Sequence, residues 1–233
     1  MKPIKAIIFD YDDTLVRTRE IRYETIKKIS REHFNTEMDI AEIDSAWGLP
    51  GDSFLITLFG KHVDNDLEKL WAIYNEYCAA DPNQLNEGVV DFLDEFREAL
   101  KYGILTSSSE KRVGAELAEL CLKKNLFLDV QTCEHTNVHK PNPLVFEPIC
   151  EKFETIGINR SDLLYIGDTL ADYKAATGFG LQFVGMAHST REEVIFARAG
   201  VTYLTGFGQL SHFVVSQHIQ FANKAKDDLP AQA

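Results

Sequence analysis

The residues that could do chemistry in this 233-residue chain fall into four short clusters. The first is Asp10-Tyr11-Asp12-Asp13-Thr14, where two acids at i and i+2 directly follow the apolar run Ala6-Ile7-Ile8-Phe9. Such a pair can aim at one pocket once the chain leaves a strand, although an isolated Asp-x-Asp is more often turn chemistry. The second, Thr106-Ser107-Ser108, sets hydroxyls and backbone amides where a strand gives way to a helix. Unpaired N–H groups there suit an anion; the plainer alternative is an N-cap before Glu110. In the third, Lys140-Pro141-Asn142-Pro143, two prolines restrict the backbone around one lysine and would steady a cation over a site. An ordinary helix start would look the same. The fourth, Gly167-Asp168-Thr169-Leu170-Ala171-Asp172, puts two acids at i and i+4, on one face of an incipient helix. Oxygen donors of this kind suit Mg2+, and the alternative is a capping acid followed by a surface acid.

Positioning these clusters requires strands that end where they begin. Ile4–Phe9, Tyr102–Leu105 and Leu163–Ile166 read as short buried strands, each running into acids or hydroxyls, and Leu181–Gly185 reads as a fourth. Strands alternating with helical patterns predict an α/β fold with a Rossmann-like parallel sheet. In open sheets of that kind the ligand edge is at the carboxyl ends of the strands. Four weak signals at four strand ends are stronger together than apart. About ninety residues separate the first strand from the second, far more than a crossover of ~10–12 residues needs. That interval reads as helical: Ile26, Ile29 and Phe34 mark one face, and Ile40, Ile43 and Trp47 another, with Asp39 and Glu42 as a capping box. Pro50–Phe59 and Leu67–Cys78 supply two more helices, the last ended near Asp81-Pro82. The expected organisation is a discontinuous core of residues 1–15 and 84–220, an inserted helical domain over 16–83, and a frayed tail over 221–233.

Phe9-Asp10-Tyr11-Asp12-Asp13-Thr14-Leu15, Thr106, Lys140-Pro141-x-Pro143 and Gly167-Asp168-x-x-x-Asp172 together resemble the four motifs of the haloacid dehalogenase superfamily. The resemblance runs from residue 4 to about residue 210. An insertion between the first and second motifs is similar to the helical-cap branch, which includes phosphoglycolate phosphatase-like enzymes and β-phosphoglucomutases. Asp13 departs from the pattern, since many relatives carry glycine there, but Asp tolerates unusual backbone angles better than most residues. The resemblance implies that Asp10 is the nucleophile taking a phosphoryl group and Asp12 the general acid and base. It implies that Thr106, Ser107 and Lys140 hold the phosphate, and that Asp10, Asp12 (through its backbone carbonyl), Asp168 and Asp172 build the Mg2+ site. The second aspartate of the first motif points to phosphate esters rather than to dehalogenation. The implied activity is an Mg2+-dependent phosphatase for a small phosphorylated metabolite. Substrate choice is expected in the inserted helices, where Trp47-Gly48-Leu49-Pro50-Gly51-Asp52 loosely resembles a substrate loop.

Three other readings compete. A phosphomutase would use the same core while excluding water. A receiver domain also gathers Asp, Thr and Lys at a sheet edge, but its lysine should follow all its acids, whereas Lys140 precedes Asp168. A binding protein without turnover would be expected to lack some charged motif position, and all are filled. Composition narrows the partners. Thirty-six acids against twenty-four bases give a net charge of −12, a poor start for binding nucleic acid or anionic lipid. No apolar run approaches the ~20 residues of a membrane span, and the opening apolar stretch is too short for a signal peptide. Cys78, Cys121, Cys133 and Cys150 form no Cys-x-x-Cys pair, which fits reduced thiols in a cytoplasm. Cys133, His135 and His139 fit no zinc spacing and read as loop residues. The expected partner is thus a small phosphate ester, with no nucleic acid and no membrane, the chain acting as a monomer or homodimer.

Overall fold

The computed structural model describes residues 4–47, 49 and 51–227, without side-chain detail beyond residue 217. The chain divides into two compact units, residues 1–16 with 85–233, and residues 17–84. The first unit is built on six strands: β1 (Ala6–Phe9), β4 (Lys101–Leu105), β5 (Phe127–Gln131), β6 (Leu163–Gly167), β7 (Gln182–Met186) and β8 (Tyr203–Leu204). Between β1 and β4 the short β2 (Val16–Arg17) and β3 (Gln84–Leu85) pair with each other as a two-stranded ribbon. The six-stranded sheet has the order β5-β4-β1-β6-β7-β8, and its neighbours are all parallel. The α/β Rossmann-like expectation is therefore met. Four strands escaped the sequence reading: the edge strands β5 and β8 of this sheet, and the two-residue β2 and β3.

Helices of the 17–84 unit are α1 (Arg19–Lys28), α2 (Ile40–Ala46), α3 (Gly51–Phe59) and α4 (Leu67–Ala80). A π-helical turn over Ile29–His33 prolongs α1, so Ile26, Ile29 and Phe34 fall along one continuous rod. The capping box forms as expected: Glu42 N–H donates to Asp39 Oδ1 at 2.8 Å, and Asp39 N–H to Glu42 Oε2 at 3.0 Å. This unit has its own apolar core of Tyr23, Ile26, Ile43, Leu55, Phe59 and Leu70, with Trp47, Phe54, Trp71 and Tyr74 packed against it. Gly48 and Pro50, part of the expected substrate loop, lie outside the described residues.

The remaining helices are α5 (Val89–Phe96), α6 (Glu110–Glu119), α7 (Glu147–Glu154), α8 (Leu170–Phe179), α9 (Thr190–Arg198) and α10 (Phe207–Asp227). Where a frayed tail was expected from residue 221, α10 continues to Asp227; residues 228–233 lie outside the described residues. Side chains alternate across β1, so both faces of the sheet are buried. Ile7 and Phe9 pack with Phe92, Val113, Leu117 and Phe207 on one face. Ala6 and Ile8 pack with Phe146, Ile149, Phe153 and Ala175 on the other. Burial on both faces explains why β1 and β6 read as continuous apolar runs rather than alternating ones.

Candidate active site

From β1 the chain runs to β4 and β5 on one side and later to β6, β7 and β8 on the other. The switch in direction leaves a crevice at the carboxyl end of β1, the place where open α/β sheets bind ligands. Phe9 is level with Ile104 of β4 and with Ile166 of β6. Asp10 is therefore level with Leu105 and Gly167, and Thr106 and Asp168 leave the sheet one residue further on. The Asp10 N–H still donates to the Ile166 carbonyl at 2.8 Å, and the Thr106 N–H to that of Gln131 at 3.0 Å. Past Asp10 the backbone folds into a tight turn, with Asp13 N–H on the Val16 carbonyl at 2.7 Å. Asp13 takes φ = 53°, the left-handed region that glycine enters freely and Asp tolerates.

Lys140 arrives from the loop between β5 and α7. Its Nζ donates to Asp10 Oδ1 at 2.9 Å, to Asp172 Oδ1 at 2.7 Å and to the Tyr165 hydroxyl at 3.2 Å. An ammonium has three N–H bonds, and three acceptors meet it here. The ordinary helix start is present as well: Asn142 caps a 3-10 turn over Pro143–Phe146, accepting from Leu144 N–H at 3.0 Å. The Lys-Pro-Asn-Pro cluster thus starts a helical turn and also brings Lys140 against Asp10 and Asp172.

Asp172 is completely buried. Thr169 is the N-cap of α8 and Asp172 its third residue, and the two cap each other reciprocally. Asp172 Oδ2 accepts from the Thr169 N–H at 3.1 Å and from its hydroxyl. Oδ1 accepts from Lys140 and from the Tyr165 hydroxyl, the latter at 3.0 Å. The alternative of a capping acid followed by a surface acid does not hold: Thr169, not Asp168, is the N-cap, and Asp172 is buried against Lys140 and Tyr165. Gly167 has a specific role in this. A Cβ there would lie 2.7 Å from both Cβ and Cγ of Asp172, so only glycine lets α8 bring its acid this close to β6.

Asp10, Asp168 and Asp172 each offer an oxygen within 4.8 Å of the others. It is the one such cluster of three possible metal ligands among the described residues; Cys133, His135 and His139 make none, and His135 Nδ1 instead accepts the Thr132 N–H at 3.1 Å. Burial, opposed by Lys140 and reinforced by Asp172 and Asp12, pushes the Asp10 carboxyl up to about 7. Burial, with Asp172 and Asp10 nearby, also holds Asp168 well above the usual carboxylate range. Desolvation works against the charged Lys140, but the carboxylates of Asp10 and Asp172 outweigh it and raise the ammonium's pKa. Three acids crowd one lysine, so the cluster calls for further positive charge. All-oxygen donors at this spacing fit a hard divalent cation.

Thr106 is buried, and its hydroxyl accepts the Ser108 N–H at 3.0 Å, while Ser107 is exposed at the mouth of the same turn. Asp12 does not join the lysine cluster directly. It is held by Ser108 Oγ at 2.6 Å and by the Arg112 guanidinium. Tyr165 and Arg112 escaped the sequence reading. Tyr165 passes for a core residue of β6. Arg112 had a readable signal in its spacing, four residues after Ser108 and four before Glu116.

The model of the haloacid dehalogenase-like hydrolase family matches residues 7–186, and the chain belongs to that family. It is an enzyme of the hydrolase class. Among curated proteins it is 26% identical to "Putative pyrophosphatase PpaX" of Clostridium perfringens over 80% of this chain and 85% of that one. Among solved structures it resembles a β-phosphoglucomutase ("putative" in its own description) from Thermotoga maritima. The TM-score is 0.73 and the identity 19%, over 97% of this chain and 100% of that one. It also resembles the hydrolase YfnB of Bacillus subtilis, described as bound to magnesium. There the TM-score is 0.73 and the identity 19%, over 91% of this chain and 99% of that one. At these identities the two structures speak for the fold.

Proposed function

We propose that this hydrolase is an Mg2+-dependent phosphatase that cleaves a small phosphate monoester through an aspartyl-phosphate on Asp10. The observation that carries the reading is the Asp10 carboxylate at the sheet's switch point, 2.9 Å from Lys140 and clustered with Asp168 and Asp172. An Asp10 oxygen attacks phosphorus as the bond to the leaving oxygen breaks, giving the acyl phosphate. Asp12 in its acid form hands a proton to the departing alkoxide. As a carboxylate it then takes a proton from the water that attacks the acyl phosphate, releasing inorganic phosphate and restoring Asp10. Splitting the transfer replaces one hard step by two easier ones, and one residue serves both proton transfers. Lys140, Thr106 and Ser107 orient the phosphate and offset its charge. A divalent ion held by Asp10, Asp168 and the Asp12 carbonyl, with Asp172 in support, would neutralise the repulsion between carboxylate and phosphate. The Asp172 oxygens already accept from Lys140, Tyr165 and Thr169, which favours the supporting role.

The 17–84 unit is read as a cap domain that sets specificity. The setting is read as reducing and cytoplasmic from the cysteine spacing, which holds no Cys-x-x-Cys pair. The test is turnover of p-nitrophenyl phosphate in Mg2+ and in EDTA, followed by a screen of phosphorylated metabolites that includes phosphoglycolate and inorganic pyrophosphate, the latter suggested by the name of the curated relative. Metal-dependent phosphate release that Asp10→Asn abolishes is expected. Phosphate release unaffected by EDTA or by that substitution would overturn the reading, and isomerisation of a sugar phosphate without release would assign a mutase.

A further inference from the structure

We infer that Arg112 is a positioning residue for Asp12, an inference that rests on Asp12 being the proton-transfer group. Asp12 sits in the tight turn after β1 with 27% of its side chain exposed, where an untethered carboxylate would rotate among several rotamers. Arg112 prevents this. Its Nη2 donates to Asp12 Oδ1 at 2.5 Å and its Nη1 to Oδ2 at 3.2 Å, a two-point fork. Ser108 Oγ adds a third bond to Oδ2 at 2.6 Å. The guanidinium is itself anchored, with Nε on Glu116 Oε1 at 3.0 Å and Nη1 on Ser108 Oγ at 2.8 Å. Arg112 and Glu116 lie one turn apart in α6, and Ser108 stands just before its N-cap, Ser109. The same rigid element that follows the phosphate-facing Thr106 and Ser107 therefore also sets the plane of the Asp12 carboxylate.

A planar fork fixes a carboxylate in two dimensions, which a lysine's point charge cannot do. Stability is a poor explanation for the arrangement, because partly exposed ion pairs contribute little. Orientation is a better one, since a displacement of order 1 Å at a reacting group can cost ~10²-fold in rate. Arg112 acts through Asp12 and so belongs to proton transfer.

The experiment compares kcat/KM for phosphoglycolate, whose alkoxide needs a proton to leave, with that for p-nitrophenyl phosphate, whose phenolate scarcely does. Arg112→Gln is expected to lower the first by about 10²-fold and the second by no more than about threefold, with the Mg2+ activation constant unmoved. Arg112→Lys, which keeps the charge and loses the fork, should fall between, and it carries the same test if the Gln variant does not fold. In an Asp12→Asn background, adding Arg112→Gln should cost less than about twofold, because groups acting as one unit are not additive. Equal losses on both esters, or full additivity in the double variant, would show that Arg112 acts elsewhere. If Asp12→Asn by itself slows both esters equally, the assignment of Asp12 fails first, and the inference falls with it.

Discussion

Replacing Gly167 by alanine tests whether the fold and the chemistry meet where the structure joins them. The added methyl would sit 2.7 Å from Cβ and Cγ of Asp172, and ordinary contact begins near 3.4 Å, so the two must part by about 0.7 Å. Neither side yields easily. Gly167 is the last residue of β6, paired with Gly185 of β7. Asp172 is buried in the first turn of α8 and bonded to Thr169, Tyr165 and Lys140. Forcing one methyl into such a place costs about 1–3 kcal/mol. Because Asp172 holds Lys140 and Lys140 touches Asp10, the displacement should pass on to the reacting group, where a shift approaching 1 Å is worth up to ~10²-fold. We therefore expect Gly167→Ala to lose about 1–3 kcal/mol in urea unfolding followed by circular dichroism. Its kcat/KM for p-nitrophenyl phosphate should fall about 10- to 100-fold. Reduced stability with full activity would refute the mechanical link from Asp172 through Lys140 to Asp10. No change in either would refute the close approach itself.

Asp10→Asn should abolish turnover while leaving the circular dichroism spectrum unchanged, since the amide is nearly isosteric but a far poorer nucleophile; near-wild-type rates would remove Asp10 from its role. Lys140→Met takes a buried cation from two carboxylates and should cost about 3–5 kcal/mol along with most activity, measured by the same urea titration and a rate assay. Gly114→Ala is the contrasting case, because a Cβ there meets nothing within 4 Å in α6. It should stabilise the protein by about 0.5–1 kcal/mol with unchanged kcat/KM. In the helical unit a Cβ on Gly51 would lie 2.9 Å from Trp71, whose Nε1 donates to Asp52 at 2.8 Å. Gly51→Val should shift kcat/KM unequally among four or five phosphate esters while the Mg2+ response stays put, and one common factor for all of them would make the segment purely structural.

How legible each part was follows from the range of the interaction that fixes it. Asp10, Asp168 and the strands behind them announce themselves, because an apolar run buried on both faces and ending in acids is a local pattern with few meanings. The Asp39–Glu42 box is likewise local, decided by four consecutive residues. Strand β5 was hidden because it is an edge strand with Asp129 and Gln131 in it, and its identity comes from pairing with β4. Tyr165 was hidden for the opposite reason. Its ring belongs to the core, and only the position of Lys140, twenty-five residues earlier, turns its hydroxyl toward Asp172. Arg112 lies between these cases, since its spacing to Ser108 and Glu116 is visible while its hold on Asp12, a hundred residues away, is not.

Charge connects these observations. A chain of net charge −12 repels a phosphate ester at long range, and at the site three of its acids crowd a single lysine. Attraction must then be assembled locally, and each element contributes a specific part. Just past β1 and β6, buried Asp10 and half-buried Asp168 lie close enough that their carboxyls resist ionisation together, so a divalent ion binding there would relieve repulsion already built into the fold. Lys140 is fully occupied by Asp10, Asp172 and Tyr165, and it can meet a phosphate oxygen only by sharing or exchanging those bonds. Arg112 is committed to Asp12 and Glu116. Among the described residues little spare positive charge is left at this edge, and on the proposed function a divalent ion supplies the remainder. The proposed function makes phosphate affinity conditional on metal: inorganic phosphate should protect the protein from thermal unfolding in Mg2+ but hardly in EDTA. Equal protection in both would mean that Lys140 and the Thr106–Ser108 amides suffice, and that the acids serve some other purpose.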